Sequence, residues 1–424
     1  MSRSVGAAVW QRRWTIGLAA TLIAGVVFRL IWLSDIEYKG DEVWTVAAVR
    51  EFSATHAWPW VGMESSAFIS NAGMSLWVFL GIGAVSGADP LALARAVQLM
   101  NTAAIVLLAG FAITAVAREE REPWLWSTAL VAVNPLAVLF QRKIWPPSTL
   151  PLFTLAFLVC WWHRQRRWGA FFWGLLGVVL GQIQLAGFFF SAGFILCALL
   201  FSRRSVRWGA WLAGTLIGIL PALPWIMTMA ARTPRAASLG NLGPYFVTGW
   251  ANIALGLDLH YPLGENLAEF AATPVLAGRS TYLAAALLGA CALIGVIVAV
   301  RAITGTRDAA TNPLKRLFST RTETDRVIMS SFWLFGALMT ASLRPFILHY
   351  LVVAFSLPGL SIAYMARAGN RTTPRSVATG RLLLTILVLA QMTVTALFLD
   401  FVHHADRIEG DYGTPYRAQS HSGN

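Results

Sequence analysis

The apolar runs of this chain decide its fold class first. They fall near residues 14–34, 92–117, 124–141, 149–162, 168–184, 187–201, 208–230, 281–300, 327–343, 346–366 and 382–401. Several reach the roughly 20 residues that a helix needs to cross a bilayer. Hydrocarbon leaves no partner for an unpaired backbone group, so only helices and closed barrels can span it. Runs of this length imply an all-α polytopic membrane protein with about eleven transmembrane helices. Only 12% of the residues are charged, too few to cover the surface of a soluble domain.

The charges that remain set the orientation. Basic clusters at the N-terminus, 163–168, 203–207, 301–326 and 367–375 all fall between apolar runs. The positive-inside bias places them in the cytoplasm, with the N-terminus inside and the tail 402–424 outside. The net charge of +13 is therefore a membrane-orientation signal, and no nucleic-acid partner is expected. The basic start precedes an apolar stretch too long for a signal peptide, so it reads as a retained first span. Segment 74–87 is too short to cross comfortably, and a crossing there would invert every later basic connector. It is expected to lie in or dip into the outer interface.

Three regions follow: a module 1–230 with a first outer loop 35–91, a second outer loop 231–280, and C-terminal helices with an outer tail, 281–424. There is no internal repeat, and Cys160, Cys197 and Cys291 sit unpaired within apolar runs. Walker A, GxGxxG and HExxH patterns are absent, which removes the usual signals of ATP-driven transport and zinc proteolysis.

Three polar constellations then share the outer face. "YKGDEVWTVA" places Asp41 and Glu42 just beyond the first span. A carboxylate in a partly desolvated cleft is suited to take a proton from a hydroxyl; equally, acids at a helix start favour its dipole. "FQRKIWPPSTL" sets Arg142 and Lys143 before Trp145 and a Pro-Pro break. An anionic ligand such as a lipid phosphate would explain cations there, as would snorkelling at a span end. "SLRPFILHYLVVAFSLPG" carries Arg344, then His349 and Tyr350 about a turn deeper, and Pro358. Ionisable groups in an apolar run point to function, or to the interfacial aromatic belt. Arg95 at the start of another span is similar. Asp258, His260 and Glu265 lack a dependable ligand spacing, and His403, His404 and Asp406 in the tail are a weak metal candidate. "GQIQ" at 181–184 reads as a polar turn.

Together these stretches resemble the GT-C-fold glycosyltransferases, in particular the protein-O-mannosyltransferase and aminoarabinose-transferase-like family. The likeness is carried by "YKGDEVWTVAAV", "SSAFISNAGMSLWVFLGIGAVSGADPLALAR" and "LVAVNPLAVLFQRKIWPPSTLPLF", and more loosely by "RPFILHYLVVAFSLPG". It implies a multi-pass inner (plasma) membrane enzyme with its active site on the extracytoplasmic face. A polyprenyl-phosphate sugar is the implied donor, and a protein, glycolipid or polysaccharide hydroxyl the acceptor. Asp41 becomes the general base with Glu42 beside it. Arg95, Arg142, Lys143, His349, Tyr350 and Arg344 would attend the lipid phosphate, and Asn71, Tyr38 and Trp145 would position acceptor or loop. No cofactor is implied. Two departures stand out: Pro147 occupies the place of a loop Asp that can serve a cation, implying a metal-independent reaction, and Asn71-Ala72-Gly73 replaces a Pro-Pro. A polyprenyl-linked glycan flippase, or a lipid-binding transport protein, would show the same phosphate site without the chemistry. A structural subunit of an envelope-assembly complex would need neither.

Overall fold

The computed structural model describes residues 2–65, 69–231, 238–304, 322–367 and 374–421. Most of the basic connectors 301–326 and 367–375 lies outside the described residues. The elements, labelled in chain order, begin with α1 Ser2–Leu30, α2 Gly40–Thr55, β1 Val61–Glu64, β2 Ser70–Ala72 and α3 Met74–Ser86. The central helices are α4 Pro90–Thr114, α5 Arg121–Val133, α6 Pro135–Phe140, α7 Leu150–Trp162, α8 Arg167–Ile183, α9 Ala186–Phe201, α10 Trp208–Ile219 and α11 Leu223–Ala230. The segment expected as a second outer loop holds α12 Tyr245–Leu255, α13 His260–Leu263, α14 Leu267–Ala271 and the hairpin β3 Val275–Leu276 with β4 Arg279–Ser280. The chain closes with α15 Leu283–Thr304, α16 Glu323–Ala341, α17 Leu357–Ala366, α18 Pro374–His404 and α19 Tyr416–His421.

The protein is an all-α membrane protein, but its helices are unequal. Among the described residues, four stretches are long and apolar enough to cross a bilayer: Pro90–Thr114, Trp208–Ala230, Leu283–Thr304 and Arg375–His404. The expected span at 346–366 is instead a tight turn Leu348–Ala354 followed by α17, the two bent by 80°. Phe355 between them takes a left-handed φ of 46°, which no continuous helix accommodates. The expected span 124–141 breaks at Asn134, whose side chain accepts from the Ala137 N–H while Pro135 takes the first helical position. A proline there lacks the donor that a continuous helix requires. Helices α7 and α9 have 13 and 16 residues; at 1.5 Å per residue they run about 20–24 Å, short of the hydrocarbon core.

Helix α1 anchors the outer layer. It crosses α5 at Gly25, where an added Cβ would stand 2.7 Å from the Ala132 carbonyl oxygen. The close approach lets the buried Arg29 donate to Ala132 O at 2.7 Å and Val131 O at 3.0 Å, with its Nε on Gln141 Oε1 at 2.7 Å. The helix ends where Trp32 turns into the left-handed region at φ 48°. That exit leaves carbonyls without partners in the last turn. Arg142 donates to Phe28 O at 2.6 Å and Trp32 O at 2.9 Å, and Arg95 donates to Leu30 O at 2.9 Å.

Both arginines thus have a structural task. They hold the negative end of α1, and neither lines the cleft described below. Replacing Arg142 by Met strands two carbonyls that now receive charge-assisted bonds. It is expected to cost about 2–4 kcal/mol, read as a lowered unfolding midpoint of the detergent-solubilised protein.

Above α1 sits a small second core. Ile36, Val46, Val49, Phe79, Leu80, Leu93, Ala94, Val97 and Ile144 join α2, α3, the start of α4 and the 140–150 loop. With 13 residues, α3 is too short to span and instead packs one face into this core. The tail folds back over it: Tyr416 N–H donates to Ile36 O at 3.0 Å and Gln419 to Tyr38 O at 2.7 Å. His403 pairs with Asp35 at 2.6 Å and stacks on Trp32 at 4.2 Å, and Arg417 reaches Asp35 at 2.9 Å.

Candidate functional site

Helix α2 starts at Gly40 and mounts the two acids differently. Glu42, at the third helical position, accepts from the Lys39 N–H at 3.3 Å, half of a capping box. Its side chain is buried, and Oε1 has no hydrogen-bond partner among the described residues. Asp41 is exposed and faces a cleft of about 50 Å³. Glu42 thus serves the start of the helix, and Asp41 faces the cleft.

Asp41, Asn71, Trp145, Gln184, His349 and Tyr350 line the cleft together. They come from α2, β2, the Trp-Pro-Pro turn, the break after α8, and the turn before α17. Gly73 allows the hairpin to close here, because a Cβ on it would lie 2.0 Å from the Pro59 carbonyl oxygen. Its N–H donates to Trp60 O at 2.9 Å, so the Asn71-Ala72-Gly73 departure is a strand end with no room for a side chain. Asn71 Nδ2 donates to Met63 O at 3.1 Å, and Trp225 of α11 donates to Ser70 O at 2.7 Å. The Trp145 and His349 rings meet edge to face at 5.1 Å.

Lys143 stands behind Trp145. Its Nζ lies 2.7 Å from Glu37, 3.7 Å from Glu42 and 4.3 Å from the Trp145 ring centroid. Burial opposes the charge on Lys143, but Glu37 and Glu42 outweigh it and hold its pKa above the usual range. Burial likewise raises Glu37 against the pull of Lys143. Glu42, desolvated and beside Glu37, is pushed up to about 8 despite Lys143. Lys39 also lies 3.5 Å from Glu37, so Glu42, the carboxylate farther from Lys143, is the less compensated of the two. Asp41 is also raised, first by partial desolvation of its carboxyl although the residue as a whole is exposed, with Lys143 acting in the opposite sense. Lys39 extends the chain of charge, pairing with Asp411 of the tail at 2.9 Å.

The raised pKa of Glu42 carries a stability consequence. Folding favours its protonated form, so stability falls as pH rises from about 4.5 to about 8 and is level above that,. Glu42→Gln keeps a neutral side chain at every pH and is expected to flatten this slope. Unfolding midpoints of both proteins between pH 5 and 9 test it; parallel curves contradict it.

Tyr38 and Arg344 lie off the cleft lining. Tyr38 turns to Tyr416 at 5.0 Å between ring centroids, and Arg344 sits half-buried in the segment that leads to His349. Sequence reasoning missed Glu37 and Gln184. Gln184 had a visible signal, a polar pair between two apolar runs; Glu37 resembled any other loop acid. Among the described residues, no three His, Cys, Asp or Glu side chains converge as a metal site. His403 and Asp406 instead meet Asp35 and Arg417.

The sequence matches no protein-family model and no curated protein. The fold, however, matches solved structures. ArnT from Cupriavidus metallidurans, bound to undecaprenyl phosphate, aligns at a TM-score of 0.52 and 13% identity, over 92% of this chain and 75% of that one. An oligosaccharyltransferase from Archaeoglobus fulgidus aligns at 0.46 and 13% identity, over 91% of this chain and 56% of that one. The chain therefore has the GT-C fold that the sequence resemblance implied.

Proposed function

We propose that the protein is a membrane glycosyltransferase that moves a sugar from a polyprenyl-phosphate carrier to an acceptor hydroxyl on the extracytoplasmic face. The observation that carries this reading is the placing of Asp41. It is the carboxylate on α2 that faces the cleft, with a pKa raised chiefly by burial, on a fold shared with a protein that binds undecaprenyl phosphate. The acceptor oxygen attacks C1 of the sugar from the face opposite the phosphate. The bond from C1 to the phosphate oxygen breaks, and polyprenyl phosphate leaves. The hydroxyl proton passes to Asp41, and C1 inverts. A positioned base of this kind contributes about 10²- to 10⁴-fold.

Arg344 is the cation proposed for the phosphate, since Arg95 and Arg142 hold α1 and Lys143 is engaged by Glu37 and Glu42. The negative charge that grows on the leaving phosphate is stabilised by a preplaced cation. Glu42, neutral below about pH 8, spares Asp41 a second adjacent charge and fixes the first turn of α2. The acceptor is a hydroxyl of a protein, glycolipid or polysaccharide.

Lipid extracts of cells lacking the gene test the reading. They are expected to accumulate a polyprenyl-phosphate sugar or to carry a truncated glycan. An unchanged lipid and glycan profile contradicts it.

A further inference from the structure

Acceptors outnumber donors in the lining of the cleft beside Asp41, where the hydroxyls of Ser65 and Tyr350 are also present,. Asn71 Oδ1 and Gln184 Oε1 are both buried, and neither has a partner among the described residues. Their amide nitrogens face elsewhere: Asn71 Nδ2 donates to Met63 O at 3.1 Å, and Gln184 Nε2 points to His349 O at 3.5 Å. Those contacts set which amide atom is left without a partner in the wall of the cleft,. His349 Nδ1 is a third buried atom without a partner, an acceptor when the proton is on Nε2. Asp41 and Glu64 add carboxylates, and no Lys or Arg is in the lining. The one buried cation nearby, Lys143, is engaged by Glu37 and Glu42 behind the Trp145 ring.

Buried acceptors left open carry a desolvation cost that only a donor removes. A cleft of about 50 Å³ has room for the hydroxyl edge of a ring and not for a whole sugar. We infer that Asn71 and Gln184 form a subsite for the hydroxyl edge of a neutral sugar ring and reject a sugar that carries a carboxylate. This rests on the transferase reading for which sugar enters, and it adds the substrate class and the two residues that select it. Two acceptor amides receive hydroxyl protons, whereas a carboxylate brings only lone pairs and a charge that meets Asp41 and Glu64. A site built around hydrogen bonds discriminates strongly when its polar groups are left unpaired.

The test is binding, with no transfer required. Methyl glycosides are titrated into the full chain in nanodiscs and followed by saturation-transfer NMR. The probes are three matched pairs: methyl glucoside and glucuronoside, methyl galactoside and galacturonoside, methyl mannoside and mannuronoside. In the tightest-binding pair the neutral member is expected to saturate at least about tenfold more tightly than the uronoside. Gln184→Leu and Asn71→Leu are each expected to weaken that neutral glycoside about five- to tenfold, the loss of a hydrogen bond. Gln184→Glu retains an acceptor and is expected to keep neutral binding while weakening the uronoside further; it also guards against a misfolded Leu variant.

A uronoside that binds as tightly as its neutral partner overturns the inference. So does the failure of every neutral glycoside to saturate, or indifference of binding to all three substitutions. Saturable neutral binding in a protein that transfers nothing would leave this subsite standing and remove the transferase reading. Transfer that favours a uronate sugar would do the reverse.

Discussion

Replacing Asp41 by Asn is expected to lower sugar transfer about 10²- to 10⁴-fold while leaving donor-lipid binding intact. Asn keeps the size and the helix-start position of Asp41 but cannot accept the proton of the acceptor hydroxyl. Among the described residues the Asp41 carboxylate makes no hydrogen bond or ion pair. Asp41 is exposed, and its backbone carbonyl rather than its side chain receives the Thr45 hydroxyl at 2.7 Å. The loss should therefore fall on kcat. In the unaltered protein, activity should fall as pH drops through the raised pKa of Asp41, giving an acid limb above the ordinary aspartate range. An Asp41→Asn protein that transfers at the normal rate would exclude Asp41 as the base.

The second large effect is expected at Lys143. Its ammonium is the shared partner of Glu37 and Glu42, and all three side chains are buried. Lys143→Met leaves the two buried carboxylates with only the half-exposed Lys39, 3.5 Å from Glu37, to offset them. Removing one partner of a buried charge pair costs about 3–5 kcal/mol. The protein is expected to unfold correspondingly earlier, and more so as pH rises, because removing Lys143 takes away the charge that lowers the folded-state pKa of both Glu37 and Glu42,. Adding Glu37→Gln removes a stranded charge and should recover most of the loss. A double mutant no more stable than Lys143→Met would show that the triad is not the source of the effect.

How far the site was legible depends on the physics each residue expresses. Asp41, His349 and Tyr350 were singled out because ionisable or aromatic residues beside apolar runs are expensive there, and Asn71 and Trp145 through the family resemblance; the structure brings these five to one cleft. The arginines show the limit of the same reasoning. Composition says that Arg95 and Arg142 need partners, but not which ones. The carbonyls left open at the end of α1 become visible only when Trp32 turns the chain. Glu37 was hidden for a related reason, since its burial comes from Lys143, 106 positions away.

The fold class followed from run length alone. Helix breaks did not, because Asn134-Pro135 and the left-handed Phe355 interrupt sequences whose hydropathy is continuous. The tail read as a simple outer extension. Its role as a strap over residues 32–39 depends on long-range pairs such as His403–Asp35 and Lys39–Asp411, which no local pattern announces.

The most direct measurement reconstitutes the purified chain in liposomes loaded with a polyprenyl-phosphate sugar labelled in the sugar. The product is resolved into intact lipid-linked sugar and free polyprenyl phosphate. With an acceptor hydroxyl supplied, the protein should release polyprenyl phosphate in step with labelled product, and Asp41→Asn should release almost none. If the label instead crosses the bilayer with its bond to phosphate intact, at equal rates in both proteins, the chain is a carrier of lipid-linked sugar and the account is wrong.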